Sequence, residues 1–213
     1  MKTTRSMKLY LTIAVLALAL VPGGCAIAPK AERWVAPPLG TTYTLARTNT
    51  GSFGSGASQI TMKVTERMWE GKQVKEFASS GGAFLLNADG SWITVLGPDD
   101  KPIFTWDPPI GPDYPLEVGE TWTKSYRVTV HAAKQAIPFD STWKVEAYED
   151  VTVPAGTFKA FKISYSDTLG NESMMWYMPE LGLVGKRIEK RTAKNRTGPG
   201  TRDSQVISYT IAK

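Results

Sequence analysis

The sequence predicts an all-β protein: a strongly curved antiparallel sheet or half-barrel of about a dozen strands, preceded by a signal-peptide segment. Apolar residues recur at every second position through most of the chain, and no convincing amphipathic helix follows Gly40. Turn-forming residues interrupt this alternation about every ten to twenty residues. A sheet of so many strands should curl, split or close, and curvature is therefore part of the prediction.

The first 24 residues are typical of a signal peptide. Lys2, Arg5 and Lys8 make a basic start, and Leu9–Val21 is an apolar run too short to span a bilayer as a stable anchor. The leader therefore predicts export and contributes nothing to the folded domain.

The leader ends at the only cysteine of the chain. Gly23–Cys25 resembles a bacterial lipobox, although Pro22 departs from the aliphatic residue usual there. The resemblance implies a diacylglycerol and acyl anchor on Cys25, and Ala26 after it favours the outer membrane. Ordinary cleavage after Ala28 is the alternative, and Pro29 directly after that site opposes it. Several acyl chains would suffice for stable anchoring.

The mature chain is predicted to hold one domain. Residues 25–39 read as an extended, lipid-anchored tether that ends in Pro37 and Pro38. Residues 40–213 then form a single all-β envelope domain, large enough to bury roughly 70% of its unfolded surface. With Cys25 lipidated, no cysteine remains for a disulfide, so a hydrophobic core must stabilise this domain.

Turn chemistry places the strands along the domain. Glu70-Gly71 predicts a tight hairpin, and Asp89-Gly90 is the strongest type I′ signal. Pro108–Pro115 holds four of the fourteen prolines and is predicted as a crossing loop. A change of apolar phase within 158–161 predicts a bulge or strong twist. The predicted strands are 41–48, 59–69, 72–78, 83–87, 91–96, 103–106, 121–131, 143–148, 157–163, 175–178, 183–192 and 203–211.

Three strings in the second half carry a family resemblance: 149–158 (EDVTVPAGTF), 176–179 (WYMP) and 182–184 (GLV). Together they resemble an uncharacterised family of bacterial envelope proteins and lipoproteins. The resemblance implies an all-β fold and, by fold analogy, the half-barrels of lipoprotein carriers that hold acyl chains. It implies no activity, because these strings encode turns and packing.

Catalytic chemistry finds little support in the residues. The single histidine, His131, lies at the end of a predicted strand, and no cluster has metal-ligand spacing. Asp99-Asp100, Asp107 and Asp113 lie near Trp106 and Tyr114, as in sugar-binding sites, but acidic residues among prolines and glycines are more often turn formers. We therefore expect no enzyme, no catalytic residue, no metal and no cofactor beyond the anchor on Cys25.

Binding is the better-supported class. The concave sheet face is predicted to present Trp122, Tyr126, Trp143 and Trp176 to an apolar or amphipathic ligand such as an acyl chain. A late basic run could contact anionic lipid head groups or protect a sheet edge. The residues of this run are Lys186, Arg187, Lys190, Arg191, Lys194 and Arg196.

The sequence thus predicts a non-enzymatic, lipid-anchored binding module at the outer membrane, with its domain facing the periplasm. The alternative is a structural or protein-interaction lipoprotein whose sheet is fully packed and holds no ligand. The membrane, an apolar ligand and an envelope protein are the expected partners. Nucleic acid is excluded by the compartment.

Overall fold

A computed structural model describes residues 29–213, which form fourteen strands and one short 3-10 helix, His131–Ala133. Signal peptide and Cys25 lie outside the described residues. The strands are Lys30–Ala31 (β1), Thr42–Gly51 (β2), Gly56–Trp69 (β3), Lys72–Ser79 (β4), Gly82–Leu86 (β5), Trp92–Leu96 (β6), Pro102–Ile110 (β7), Leu116–Glu117 (β8), Thr121–Val130 (β9), Gln135–Val153 (β10), Gly156–Asp167 (β11), Asn171–Met178 (β12), Leu183–Arg191 (β13) and Gly200–Thr210 (β14).

Twelve of these strands make one closed antiparallel barrel in the order β10-β11-β12-β13-β14-β2-β3-β4-β5-β6-β7-β9. The barrel closes where its first strand, β2, pairs with its last, β14, from Thr42 opposite Thr210 to Gly51 opposite Gly200. The prediction of an all-β, strongly curved antiparallel sheet is confirmed. Its curvature goes beyond a half-barrel, because every one of the twelve strands has two neighbours and no barrel edge remains.

The hairpin turns lie at the predicted positions, but the type I′ turn forms at Glu70-Gly71 and not at Asp89-Gly90. Glu70 and Gly71 both have positive φ, +48° and +79°, which is the pattern of a type I′ hairpin. In the turn at Asp89-Gly90 only Gly90 is left-handed, with φ +84°. Asp89 instead accepts a hydrogen bond from the Ser91 amide, 2.9 Å away, which fixes a longer loop.

Two predicted features differ in detail. The proline-rich segment is not wholly a loop, because β7 continues to Ile110, opposite Trp92. The next residue pair along these two strands joins Thr94 to Thr105, so the extra residues of β7 bulge out of the ladder. The bulge predicted within 158–161 is not in β11, whose pairing is regular there; the bulge lies in the neighbouring strand β10, between Val145 and Ala147.

The barrel interior is the main core. Val145 and Ile163 are fully buried there, and Phe161 and Met175 nearly so. A second cluster joins residues of β3, β4 and β5 to the β10–β11 hairpin, whose tip bonds β14 through the Ala155 amide and the Val206 carbonyl, 3.2 Å apart. Burial of large side chains on both sides of the barrel stabilises the fold without a disulfide.

The described part of the predicted tether is docked on the barrel. β1 pairs with β8, and Ala31 is buried. Trp34 packs against both core clusters, with its ring centroid 6.4 Å from that of Phe77. The Val35 amide donates to the Tyr177 hydroxyl at 3.4 Å. Residues 30–37, here called the N-terminal strap, therefore belong to the folded domain. Among residues 29–213, no helix has the length and apolarity needed to cross a membrane.

Candidate functional site: an outer groove and the barrel interior

Three of the four predicted ligand-binding aromatics lie together inside the barrel. The Trp122 and Trp143 rings stack at 6.1 Å with an interplanar angle of 4°, and Tyr165 meets Trp143 edge-on at 4.6 Å. Tyr126 stacks on Phe139 at 5.6 Å. These rings are packed against one another, so their apolar faces are largely occupied by other side chains.

Burial of this cluster changes the ionisation of its phenols. Desolvation raises the pKa of Tyr126 to about 12, with a smaller contribution from the charge of Asp113. Burial also raises the pKa of Tyr165, and Asp167 adds to the effect through its charge and through the hydrogen bond that its Oδ2 accepts from the Tyr165 hydroxyl at 2.7 Å. Both groups are neutral hydrogen-bond donors at physiological pH.

Trp176 does not share that face. Its neighbours on β12, Met175 and Tyr177, are buried in the interior, so alternation along the strand turns Trp176 outward. Its indole Nε1 donates to Glu149 Oε1 at 2.9 Å. The Lys162 and Lys186 ammonium groups lie 5.6 and 5.2 Å from its ring centre. The predicted set is therefore split between the two faces of the barrel wall.

A groove of about 420 Å³ lies beside Trp176 on the outer face of β10–β13. Ser164, Met174 and Ile188 form a row across its floor, because Ser164 pairs with Met174 and Met174 with Ile188. The next row places Ser166 beside Glu172 and Lys190. The groove exists because the side chains on β11 are small, whereas those beside them on β12 and β13 are larger and apolar.

Charged groups stand at the rim of the groove. Lys190 Nζ lies 3.9 Å from Glu172, and Lys144 Nζ lies 2.6 Å from Glu146. Hydrogen bonds from Lys144 and then Ser164 lower the pKa of the Glu146 carboxyl. The site therefore combines an apolar floor with exposed ion pairs that a charged ligand group could exchange for its own contacts.

The predicted basic run divides between the two faces of β13. Lys186 and Lys190 face outward, beside Trp176 and the groove. Arg187 and Arg191 face the interior, and they are therefore not surface contacts. Lys194 and Arg196 lie in the turn after β13. Protection of a sheet edge is also overturned as a role, because β13 pairs with both β12 and β14.

The polar residues that were weighed for catalysis are spread over turns and strands. His131 Nε2 lies 2.9 Å from the Thr105 hydroxyl. Asp100 pairs with Arg67, and Asp113 pairs with Lys124. In the part of the chain that the structure describes, no group of three histidine, cysteine or acidic residues is placed to hold a metal ion.

Sequence reasoning missed the groove and two interior residues near Arg187 and Arg191, namely Arg47 and Phe53. The serines of β11 carry no signal of their own, since only the register places them beside Met174. The missed interior residues come from strands far apart in sequence. A period-two reading of β14 and β2 could have put Arg202 and Arg47 on inward faces, but not beside one another.

Comparison with known proteins gives structural likenesses only. No protein-family model matches the chain, and no curated protein sequence matches it. A Bacteroides fragilis protein described as exported, with a YmcC-like fold, is 14% identical, with a TM-score of 0.46 over 84% of this chain and 100% of that one. A lipoprotein from Parabacteroides distasonis is 10% identical, with a TM-score of 0.39 over 84% and 99%.

The hypothetical lipoprotein YmcC from Escherichia coli is also 10% identical, with a TM-score of 0.42 over 82% of this chain and 86% of that one. All three proteins are described as exported proteins or lipoproteins.

Proposed function

We propose that the protein is a non-enzymatic, lipid-anchored binding protein of the outer membrane, held there through Cys25 with its barrel in the periplasm. Its ligand is amphipathic and lies in the outer groove of β10–β13. The observation that carries this proposal is the groove of about 420 Å³, with an apolar row across its floor and lysines at its rim. Ligand sites of roughly 300–1,000 Å³ typically combine an apolar lining with a few polar groups.

The arrangement of the groove favours a ligand with an apolar part and an anionic part. Met174 and Ile188 offer the apolar contact, and methionine adapts readily to different ligand shapes. Lys144 and Lys190 line the same groove, and Lys186 lies next to it over the Trp176 ring. An acyl chain on the floor with its head group among the lysines would satisfy both features.

A structural or protein-interaction lipoprotein without a ligand is the second candidate. The stacking of Trp122 on Trp143, together with the edge-on contact from Tyr165, favours it, because rings that pack on one another leave little room for an apolar ligand inside the barrel. On this alternative the outer groove would contact a protein partner or solvent.

Native mass spectrometry of residues 26–213 separates the two candidates. The protein is produced in the periplasm and incubated with phospholipids, and retained lipid is measured by the added mass. Ser166→Trp should fill the groove, since Ser166 is exposed at its wall and donates no side-chain hydrogen bond that would be lost. Thr61→Trp is the control, because Thr61 is an exposed mid-strand residue of β3, outside the groove. The side-chain hydrogen bond that it shares with Thr44 at 3.0 Å is exposed, and its loss touches no residue of the groove.

Binding in the groove predicts a lipid adduct on the wild-type chain and on Thr61→Trp, and at least a tenfold loss of that adduct in Ser166→Trp. A wild-type chain that remains at its own mass after incubation would exclude the lipid version and favour the scaffold. Equal adducts on both variants would place the ligand elsewhere on the barrel.

A further inference from the structure

Four arginines converge inside one end of the barrel from three adjacent strands. They are Arg47 on β2, Arg187 and Arg191 on β13, and Arg202 on β14, here called the arginine cluster. Ser204 of β14 pairs with both Arg187 and Arg47, so these two side chains lie in one row across the wall. Arg202 and Arg191 extend the cluster toward the turns at this end.

The cluster holds more positive charge than its surroundings balance. Glu189 is its one close carboxylate in the described chain, 3.4 Å from Arg187 Nη2 and 3.8 Å from Arg202 Nη1. Within residues 29–213, neither Arg47 nor Arg191 has a carboxylate oxygen within 4.0 Å. Four guanidinium groups therefore face one carboxylate, and buried charge without a partner is costly.

Arg47 shows the imbalance most directly. Its Nε is buried and has no hydrogen-bond partner among the described residues. Burial lowers the pKa of Arg47, and the charge of Arg202 lowers it further. Burial and Arg202 also lower the pKa of Arg191. The unpaired Nε and the excess of positive charge both favour an anion at this position, because an anion would supply the missing hydrogen-bond acceptor and the missing negative charge.

The guanidinium groups are held in place by aromatic rings and polar atoms. Phe53 lies over Arg191 and Arg202, 4.0 and 4.6 Å from their guanidinium carbons. The Trp92 ring, from the opposite wall, lies 4.8 Å from Arg187. Arg202 Nε donates to Asn49 Oδ1 at 3.0 Å. Stacked, oriented guanidinium groups lose little freedom when they form further hydrogen bonds.

Two glycines allow Phe53 to reach the cluster. A Cβ on Gly51 would lie 2.3 Å from the Pro199 carbonyl oxygen, and one on Gly200 would lie 2.6 Å from the Ser52 amide nitrogen. The β2–β3 and β13–β14 turns thus pack backbone against backbone. Arg191 Nη1 joins them by donating to the Ser52 carbonyl at 2.9 Å.

We propose that the arginine cluster binds an oxyanion, a carboxylate or phosphate group of a small ligand, inside this end of the barrel. Each guanidinium offers up to five donors in a plane that matches two oxygens of either group. This site is separate from the outer groove and does not depend on it, because the cluster faces the opposite side of the barrel wall.

Isothermal titration calorimetry on detergent-solubilised protein at low ionic strength tests the proposal, with inorganic phosphate and citrate as probes. The wild type should bind one of the two, and the preferred probe identifies the chemical class. Arg47→Met should weaken binding at least tenfold. Arg196→Gln is the control, since it removes the same charge from the neighbouring turn, and its affinity should stay within twofold of wild type.

A structural role for Arg47 is distinguished by thermal unfolding without added anion. Arg47→Met should retain or raise the Tm, because it removes a buried charge that has no partner. If Arg47→Met does not fold, Arg191→Gln provides the same test, with an expected loss of at least fivefold. Absence of binding heat with both probes, or an equal loss in Arg196→Gln, would overturn the proposal.

Discussion

Replacing Gly182 with alanine should undock the N-terminal strap. Gly182 lies in the turn between β12 and β13 with φ +67°, a conformation that costs an L-residue about 1 kcal/mol. An added Cβ would also lie 2.1 Å from the Val35 carbonyl oxygen and 3.0 Å from Pro37. Because these contacts involve backbone and a proline ring, the strap must move as a whole.

The size of the stability loss in Gly182→Ala can be worked out by comparison with Gly71, a second glycine with positive φ. Gly71 has φ +79° and no atom within 4 Å of an added Cβ, so Gly71→Ala should cost only the backbone term of about 1 kcal/mol. Gly182→Ala adds the docking energy of the strap, chiefly the partly buried Trp34 ring and Ala31. Gly182→Ala should therefore lower the free energy of unfolding by about 2–4 kcal/mol in total. The loss cannot exceed this sum, because a strap that has dissociated no longer meets the added Cβ.

Urea unfolding gives both free energies, and amide hydrogen exchange across residues 30–37 reports docking. Gly182→Ala should lose the protection of these amides, and Gly71→Ala should keep it. In a chain shortened to begin at residue 39, both substitutions should cost about 1 kcal/mol, since no strap remains to be displaced. Equal costs in the full-length proteins, with protection intact, would refute the docked strap.

Two further predictions concern Tyr126 and Cys25. The raised pKa of Tyr126, about 12 against an ordinary value of 10, means that its contribution to stability is fully present below pH 10 and is lost as pH rises to 12. Tyr126→Phe should therefore flatten the fall of the unfolding free energy in that window by about 1.4 kcal/mol per pH unit at most; equal slopes in wild type and variant would contradict it. Cys25→Ser should abolish incorporation of labelled palmitate and release the protein from the membrane fraction; membrane association that survives the change would argue against lipidation.

Local features of the fold could be predicted because local chemistry specifies them. Glu70-Gly71 and the VPAG turn at 153–156 encode hairpins through their backbone preferences, and the structure joins β3 to β4 and β10 to β11 there. Closure could not be predicted, because it depends on the first barrel strand, β2, meeting the last, β14, with a total stagger that no single hairpin determines.

The candidate site was less predictable, because the face that a residue occupies depends on the register between strands. On β12 the interior holds Met175 and Tyr177, and regular alternation therefore turns Trp176 outward. Trp176 faces Lys162 and Lys186 outside, although Trp122 and Trp143 lie inside. Aromatic content predicted a group of large rings on the sheet without identifying the side of the wall on which each ring lies.

The basic run shows where residue type could have resolved that ambiguity. In Lys186-Arg187 and Lys190-Arg191 the lysines occupy one parity of the strand and the arginines the other. A lysine ammonium is strongly hydrated and stays in water, whereas a guanidinium is weakly hydrated and stacks on rings. The structure follows that difference, with both lysines outside and both arginines against Trp92 or Phe53. Arg187 and Arg191 share their strand with one inward glutamate, Glu189, and the neighbouring strands add Arg47 and Arg202 rather than carboxylates, so the cluster keeps an excess of positive charge.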